Sequence, residues 1–301
     1  PTKKSIELQA KEIELVKKRN AISKLIISSK KWGLYRWTVE GFNTARALRA
    51  TADLSFTFRQ NAVLAFAHPI LAAKNFGPAL KAAFSTNSAI RIHDGIVSSP
   101  NAAYYEIAGL QINDAQSHIP ANREEVFQDL LVERIPVAGQ IIKGSNRHAT
   151  TIGNLMRTGQ FDRFLATNPS ATIEEMKAYA DFLNAATGIG DVKVFGKSVE
   201  ALNLIFFSPR FVASRVQTPY KLVKYWHIPT VRRAIATDLA RFVATGMAVQ
   251  AIAAMWADDE DETVRVNWTD PRDPDWGKIR IGDTRIDMWG GFQQPLRLVA
   301  R

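Results

Sequence analysis

Residues 229–257 read PTVRRAIATDLARFVATGMAVQAIAAMWA, and this stretch is the clearest indicator of the fold class. Pro229 stands where proline commonly opens a helix, because its fixed φ suits the first turn. No second proline follows before residue 257. At 1.5 Å per residue, a helix of this length extends over about 40 Å. The stretch therefore predicts one long helix within a mainly helical chain.

The second half of this stretch, residues 242–257, holds sixteen residues without a charge. One interpretation is a membrane-inserting helix, with small residues for close packing, Trp256 at an interface and basic residues on one side only. The other interpretation is a central helix that its neighbours bury. A bilayer span needs roughly 20 apolar residues, and sixteen falls short of that length. The buried helix is therefore the favoured interpretation.

Apolar periodicity and helix breakers predict further helices upstream. Thr172 and Glu175 have the spacing of a capping box, and Ser208-Pro209 pairs an N-cap residue with a first-turn proline. Gly77-Pro78 is expected to break a helix. The predicted helices cover residues 5–30, 32–49, 53–68, 69–76, 87–98, 101–110, 122–132, 136–166, 172–188 and 209–216.

Near the end of the chain, alternation with period two replaces the helical pattern. Residues 278–281 and 284–288 alternate apolar and polar side chains around Gly282-Asp283, where glycine suits a hairpin turn. The expected fold class is therefore mainly α, a multi-helix assembly with one C-terminal β-hairpin.

Four segments are expected along the chain. Residues 1–50 form basic amphipathic helices, residues 51–187 a helical domain, and residues 188–262 a helical subdomain with the long apolar helix. Residues 263–301 hold the hairpin and the start of a further helix. Because the sequence begins without Met and stops within a helical pattern, we expect it to be part of a longer polypeptide.

Composition excludes several classes of site. The 301 residues are 46% hydrophobic and 23% charged, which is typical of a folded globular protein. Cysteine is absent, which excludes disulfides, thiolate metal sites and cysteine nucleophiles, and histidines number only five. The acidic run 258–262 is expected to be an exposed turn, since adjacent carboxylates point in different directions. We expect no metal and no cofactor.

Positive charge is concentrated at the front of the chain. The formal net charge is +10, and residues 1–50 hold twelve Lys and Arg against four Asp and Glu. This pattern predicts contact with nucleic acid or an anionic membrane, although a solvated amphipathic helix explains it equally well. Trp32, Tyr35 and Trp37 are placed to stack on bases. The candidate phosphate contacts are Lys17, Lys18, Arg19, Lys30, Lys31, Arg36, Arg46 and Arg49.

Signals of catalysis are weak. His93-Asp94 is a local pair more typical of a helix surface than of an acid–base dyad. Gly188-Ile189-Gly190 lacks the third glycine of a dinucleotide-binding loop, and the sequence has no GxSxG, Walker lysine or HExxH motif. We expect no catalytic residues and no enzymatic activity.

Several stretches, taken in order, are similar to a known group of proteins. They lie at residues 52–55, 59–60, 68–69, 123–127, 135–136, 145–147, 154–157, 206–215 (FFSPRFVASR) and 277–294 (GKIRIGDTRIDMWGGFQQ). Over roughly residues 50–301 their order resembles a helical module in the large polyvalent proteins of tailed bacteriophages, of the internal virion or DNA-ejection type.

The resemblance implies a structural phage protein that is packaged with DNA and assists genome delivery into the host. The partners implied are further copies of the chain, other virion, portal or tail proteins, phage DNA bound without sequence preference, and the host membrane. The expected location is the capsid interior or ejection apparatus, and the host envelope or cytoplasm after infection.

Within the module, structural roles are expected for a set of motif residues. Arg147 and Arg157 lie ten residues apart, nearly on one helical face, and are expected to tie neighbouring helices or subunits by pairing with carboxylates. Gly290-Gly291 is expected to permit a tight chain reversal, with Gln293 and Gln294 supplying backbone hydrogen bonds. The full set is Ser145, Asn146, Arg147, Arg157, Pro209, Arg210, Gly282, Gly290, Gly291 and Gln293.

Two alternatives to the ejection protein stay open. The first is that the chain is a non-catalytic helical segment of a giant virion-carried enzyme, such as an RNA polymerase. The second is that it is a protein that binds nucleic acid without sequence preference. Polymerase motifs in a longer reading frame would favour the first, and salt-dependent DNA binding confined to residues 1–50 would favour the second.

Overall fold

The fold is described from a computed structural model, which defines residues 59–114, 136–191, 209–255, 264–294 and 297. Almost all of them belong to one compact unit, made of Thr51–Gln116 and Lys143–Arg301. The predicted helices at 5–30, 32–49 and 122–132 lie outside the described residues.

The described part of the chain is mainly helical with a small antiparallel sheet near its end, as the sequence predicts. Eight helices and three strands lie in the described ranges. The helices are α1 (Ala62–Ala67), α2 (Pro69–Phe84), α3 (Thr86–Val97), α4 (Ala102–Ala108), α5 (Pro136–Thr167), α6 (Ile173–Ala186), α7 (Pro209–Lys224) and α8 (Pro229–Met255). The strands are β1 (Val264–Val266), β2 (Ile279–Ile281) and β3 (Thr284–Ile286).

The short helix α1 lies at the centre of the core. Its sequence AVLAFA is apolar on every side, and five of its six residues are buried. A helix without a polar face must be surrounded by other elements. Helix α8 packs against α1 most extensively, and aromatic side chains of α5 and α6, Phe161, Phe164 and Phe182, complete the same cluster.

Helix α8 is buried along one stripe only. Residues Val231, Ile235, Asp238, Phe242, Gly246 and Gln250 are buried at spacings of three or four, which is one face of a helix. Val243, Met247, Ile252 and Met255 are exposed instead. The prediction that neighbours bury this segment is therefore correct for one face and wrong for the other.

Helix α8 also passes a test of length and composition for crossing a membrane. Among the described residues no other helix does, and 28% of its most apolar window is buried.

Two prolines inside helices differ from the sequence-based expectation. Gly77-Pro78 was expected to end a helix, but α2 continues through it to Phe84. Helix α7, predicted to end near Val216, likewise continues past Pro219 to Lys224. Both prolines lie on exposed faces, where water can serve the carbonyl group that loses its N–H partner.

Helix ends follow the local signals in the sequence. The predicted capping box at α6 is present: Glu175 N donates to Thr172 Oγ1 at 3.2 Å, and Thr172 N donates to the Glu175 carboxylate at 2.8 Å. The Thr172 bonds, together with one to Thr230, lower the pKa of Glu175. Helix α4 ends at Gly109 in the left-handed conformation.

The C-terminal sheet contains the predicted hairpin and one additional strand. Strands β2 and β3 pair antiparallel around Gly282, whose φ of +55° favours glycine. Strand β1 pairs with the other edge of β2 and was not predicted, because three residues are too few for an alternating pattern to stand out.

The segment after the sheet packs closely on α8. Trp289 Nε1 and Gln250 Nε2 both donate to the carbonyl of Gly277, at 2.9 and 2.5 Å. A Cβ on Gly246 would lie 2.8 Å from the Trp289 ring, so only glycine lets the indole approach α8 this closely.

Candidate functional site

The eight basic residues predicted to contact nucleic acid all lie outside the described residues. They are Lys17, Lys18, Arg19, Lys30, Lys31, Arg36, Arg46 and Arg49. The motif residues and the surfaces of α5, α7 and α8 lie within the described part of the chain.

Arg147 ties α5 to the end of α2. Its Nε donates to the carbonyl of Ala82 at 3.0 Å and its Nη2 to the carbonyl of Ala83 at 2.6 Å. The acceptors are backbone carbonyls of a helix C-terminus, which carry partial negative charge. The predicted tie is present, but the predicted carboxylate is not its acceptor. Ser145 and Asn146 lie on the same turn of α5, half-buried and exposed respectively.

Arg157 is buried, and no described carboxylate contacts it. Its Nη1 donates to Thr187 Oγ1 at 2.8 Å and its Nη2 to Asn154 Oδ1 at 2.7 Å, whereas Nε has no partner in the described part of the chain. Burial lowers the pKa of Arg157 to about 9, so the guanidinium keeps its proton at neutral pH. The predicted carboxylate pairing is wrong here as well, because the acceptors are neutral oxygens.

The Arg157 network fixes an extended segment after α4. Asn154 exchanges two hydrogen bonds with the backbone of Asn113, at 2.6 and 3.1 Å. Asn184 accepts from Gln111 N at 2.9 Å and donates to the Gly109 carbonyl at 3.0 Å. Amide side chains of α5 and α6 thus make the backbone hydrogen bonds that a neighbouring strand would otherwise make with this segment.

Arg215 of α7 forms the second buried arginine site, and sequence analysis did not single it out. Its Nε donates to the carbonyl of Gly290 at 2.7 Å, and its Nη2 donates to the carbonyl of Arg59. The guanidinium carbon lies 4.0 and 4.5 Å from the ring centres of Phe211 and Phe292. Burial lowers the pKa of Arg215 to about 9, partly opposed by Asp287.

The glycine pair beside Arg215 makes the predicted reversal. Gly290 and Gly291 have φ of +57° and +89°. A Cβ on Gly290 would lie 2.7 Å from that of Ala62, so the turn contacts α1 directly. Asp287 accepts from the N–H groups of Trp289 and Gly291.

Two further motif predictions have different outcomes. Gln294 N donates to the carbonyl of Gly291 at 3.2 Å, so the predicted backbone hydrogen bond is present there. Gln293 is buried, and neither polar atom of its side-chain amide has a partner among the described residues. Pro209 opens α7, and the carbonyl of Arg210 accepts from Gly190 N at 3.2 Å. A Cβ on Gly190 would lie 2.6 Å from Ser214 N, which fixes glycine at this crossing.

An open groove lies between α5 and α8. Its volume is about 280 Å³. Helix α5 lines it with Gln160, Arg163, Phe164, Thr167 and the following Asn168, and α8 lines it with Thr230, Arg233, Ala234, Thr237, Asp238 and Arg241. Spacings of three and four place each set on one helical face, so two stripes face each other.

A buried hydrogen-bonded triad forms the floor of the groove. His68 Nε2 lies 2.8 Å from Asp238 Oδ1, and Tyr179 donates its hydroxyl hydrogen to Asp238 Oδ2 at 3.0 Å. Burial and the Asp238 charge raise the pKa of Tyr179, although Arg163 and Arg241 act in the opposite direction. Tyr179 therefore stays protonated and serves Asp238 as a donor.

The rim of the groove is positively charged. Arg163, Arg233 and Arg241 are exposed, and none of their guanidinium groups forms an ion pair or hydrogen bond with a described residue. Asp238 is the sole carboxylate among the described residues of the lining, and its bonds go to His68 and Tyr179. The arrangement can bind an anion.

Sequence analysis missed the groove, because its floor joins residues far apart in the chain. His68 and Asp238 are separated by 170 positions. The single sequence signal is that Thr230, Arg233, Thr237 and Arg241 follow one helical stripe at the start of α8.

In a second charged cluster, one carboxylate accepts three hydrogen bonds. Asp181 of α6 accepts from Lys221 Nζ at 2.6 Å, from Lys224 Nζ at 3.0 Å and from the Tyr225 hydroxyl at 2.5 Å. Burial alone would raise the pKa of Asp181, but the three donors lower it below its ordinary value. This cluster joins α6 to the end of α7.

Helix α7 presents an exposed apolar stripe. Val212, Val216, Tyr220 and Val223 are spaced by four, four and three residues, and each is at least 43% exposed. Trp226 extends the stripe beyond the helix at 59% exposure. Contiguous apolar surface of this kind is typical of a contact with another protein or a membrane.

Comparisons with protein-family models, with curated proteins and with solved structures find no match to this chain.

Proposed function

We propose that this chain is a structural component of a phage virion, an internal or ejection protein that is packaged with DNA and assists genome delivery. In this role it acts through assembly and binding and not through catalysis. The proposal rests first on the resemblance of residues 50–301 to the helical module of large polyvalent phage proteins.

The exposed apolar side chains of α7 and α8 are the observation that carries the proposal. Val216 and Val223 on α7, and Met247 and Ile252 on α8, are between 52% and 68% exposed. An isolated folded chain gains nothing by leaving such side chains in water. We infer that the side chains of α7 contact further copies of the chain, with portal or tail proteins as additional partners.

Composition supports the same role. The chain has no cysteine and therefore no disulfide that would prevent unfolding during passage through a narrow portal. A net charge of +10 suits a protein packed beside DNA.

The test of location is quantitative mass spectrometry of purified phage particles before and after triggered DNA release. Peptides of this chain are expected in full particles and are expected to be depleted from emptied ones. Retention in both would indicate a fixed capsid or tail protein. Absence from both would contradict the virion role and also the virion-carried enzyme, and it would favour a protein that binds nucleic acid outside the particle.

The test of assembly is sedimentation velocity of the double variant Val216→Asp, Val223→Asp. Because both side chains are exposed, we expect the variant to fold and to sediment as a smaller species than the unchanged chain. The matched control is Val97→Asp, at a 49% exposed position at the end of α3. An unchanged sedimentation coefficient would contradict assembly through α7.

Contact with the host membrane is proposed for the exposed face of α8. Vesicles of phosphatidylcholine and phosphatidylglycerol are expected to bind the chain, and the double variant Met247→Asp, Ile252→Asp is expected to reduce that binding. Equal binding by the variant would contradict this contact.

A further inference from the structure

The groove between α5 and α8 collects three cations that the described structure leaves without a carboxylate. Arg163 lies on one side, and Arg233 and Arg241 lie on the other. Other arginines of the same fold are used internally: Arg147, Arg157 and Arg215 all donate to oxygens of the protein. The three groove arginines differ because their guanidinium groups remain available to a ligand.

The negative groups around the groove are already engaged. Asp238 bonds to His68 and Tyr179. Asp162, next to Arg163, accepts from Asn101 at 2.9 Å and from Tyr105 at 2.6 Å. Glu175 bonds to Thr172 and Thr230 at the N-terminal end of α8. The field in the groove is therefore set by three positive charges with a bonded carboxylate below them.

The size and the donor set of the groove indicate the class of ligand. A volume of about 280 Å³ holds one or two small ionic groups and not the side of a folded protein. The guanidinium fork matches oxyanions bidentately, and three forks offer more N–H donors than a single carboxylate can accept. A phosphate has the higher charge and more acceptor oxygens.

We propose that this groove binds phosphate groups, and that Arg163, Arg233 and Arg241 donate hydrogen bonds to the phosphate oxygens. The two α8 arginines are separated by eight residues, which corresponds to about 12 Å along the helix. The groove thus accommodates either a small free polyphosphate or adjacent phosphates of a nucleic-acid backbone. It is distinct from the basic residues 1–50 and does not depend on the virion role.

The experiment measures binding of two probes to the full chain. Binding of inorganic pyrophosphate is measured by titration calorimetry, and binding of a fluorescein-labelled single-stranded DNA of 12 nucleotides is measured by fluorescence anisotropy. Each of Arg163→Gln, Arg233→Gln and Arg241→Gln is expected to weaken pyrophosphate binding by about tenfold, as expected for loss of a charge-assisted contact. All three side chains are exposed, so folding is expected to be kept, and circular dichroism checks it.

Two further variants distinguish binding in the groove from non-specific electrostatic attraction of the probe to a basic protein. Arg232→Gln changes the same net charge on the same helix, but Arg232 lies against Trp226, 4.9 Å from its ring centre, and not in the groove. It is expected to weaken binding less than twofold. Ala234→Leu fills the groove without changing charge and is expected to weaken pyrophosphate binding at least fivefold.

The outcomes decide both the site and the source of the phosphate. Loss of both probes in the triple glutamine variant supports the site with a nucleic-acid backbone as its source, and loss of pyrophosphate alone supports it with a free phosphate compound. Absence of pyrophosphate binding to the unchanged chain, or equal weakening by Arg232→Gln, would overturn the proposal. Particle mass spectrometry does not affect this result, so failure of the two proposals can be told apart.

Discussion

The junction at Arg215 and the groove between α5 and α8 use the same side chain in opposite ways. At the junction the guanidinium is buried between two phenylalanine rings and donates to carbonyls of segments far apart in the chain. In the groove the guanidinium groups are exposed and donate to no described residue. An arginine thus stabilises the fold where oxygen atoms of the protein accept its hydrogen bonds. Where described residues supply no such acceptor, the guanidinium group can bind a ligand.

The largest loss of stability is expected at the junction. Arg215→Met removes the donor for the buried carbonyl of Gly290 and for the carbonyl of Arg59, and the free energy of unfolding is expected to fall by about 3 kcal/mol. Urea denaturation followed by circular dichroism measures it. Arg233→Met, at an exposed arginine of α8, is the control, and an equal effect of both substitutions would contradict a special role for Arg215.

Arg157→Met is expected to cost less, about 1 kcal/mol. Its acceptors keep other partners, since Thr187 Oγ1 still donates to the Leu183 carbonyl and Asn154 Oδ1 still accepts from Asn113 N. Removing a buried cation that lacks a carboxylate also recovers part of its desolvation cost. The same denaturation measurement checks this, and a loss larger than that of Arg215→Met would contradict the order.

Asp181→Asn tests the cluster in which two lysines donate to a carboxylate, unlike the arginines discussed above. We expect a loss of about 1 kcal/mol at pH 7, because two ammonium groups and a hydroxyl lose a charged acceptor. The pKa of Asp181 is lowered in the folded state, so its contribution is present above the unfolded pKa near 3.8 and is lost as pH falls through the folded value.

The difference between Asp181→Asn and the unchanged chain should therefore shrink when unfolding is measured at pH 3 instead of pH 7. Asp94→Asn, at an exposed position near the end of α3, is the control and should show little difference at either pH. A difference for Asp181→Asn that does not depend on pH would contradict the lowered pKa.

The smallest effect on stability is expected in the groove. Arg163→Gln, Arg233→Gln and Arg241→Gln are each expected to change the free energy of unfolding by less than about 0.5 kcal/mol, as exposed side chains without internal partners do. Thermal unfolding measures this. A loss approaching that of Arg157→Met would place these arginines among the structural ones and remove the contrast.

The sequence predicted those features that depend on neighbouring residues. The Thr172–Glu175 capping box, the opening of α5 and α8 at prolines, and the hairpin at Gly282 involve contacts within a few positions. The helices through Pro78 and Pro219 were missed, because packing and exposure outweighed the local cost of proline.

The candidate sites were less accessible to sequence analysis. Arg147 and Arg157 were correctly expected to tie helices, but the acceptors are carbonyl, hydroxyl and amide oxygens that carry no sequence signature. Asp238 meets His68 and Tyr179 only because the fold brings α1, α6 and α8 together. The eight candidate phosphate contacts in residues 1–50 stay a prediction.

The bond between His68 and Asp238 joins residues 170 positions apart, and this has a consequence for how the chain is made. At a synthesis rate of about 5–20 residues per second, α1 leaves the ribosome roughly 10–30 s before the α8 residues that cover it. An apolar helix with five buried residues has no partner during that interval. Nascent chains stalled between α1 and α8 should therefore bind holdase chaperones, and release should follow completion of α8.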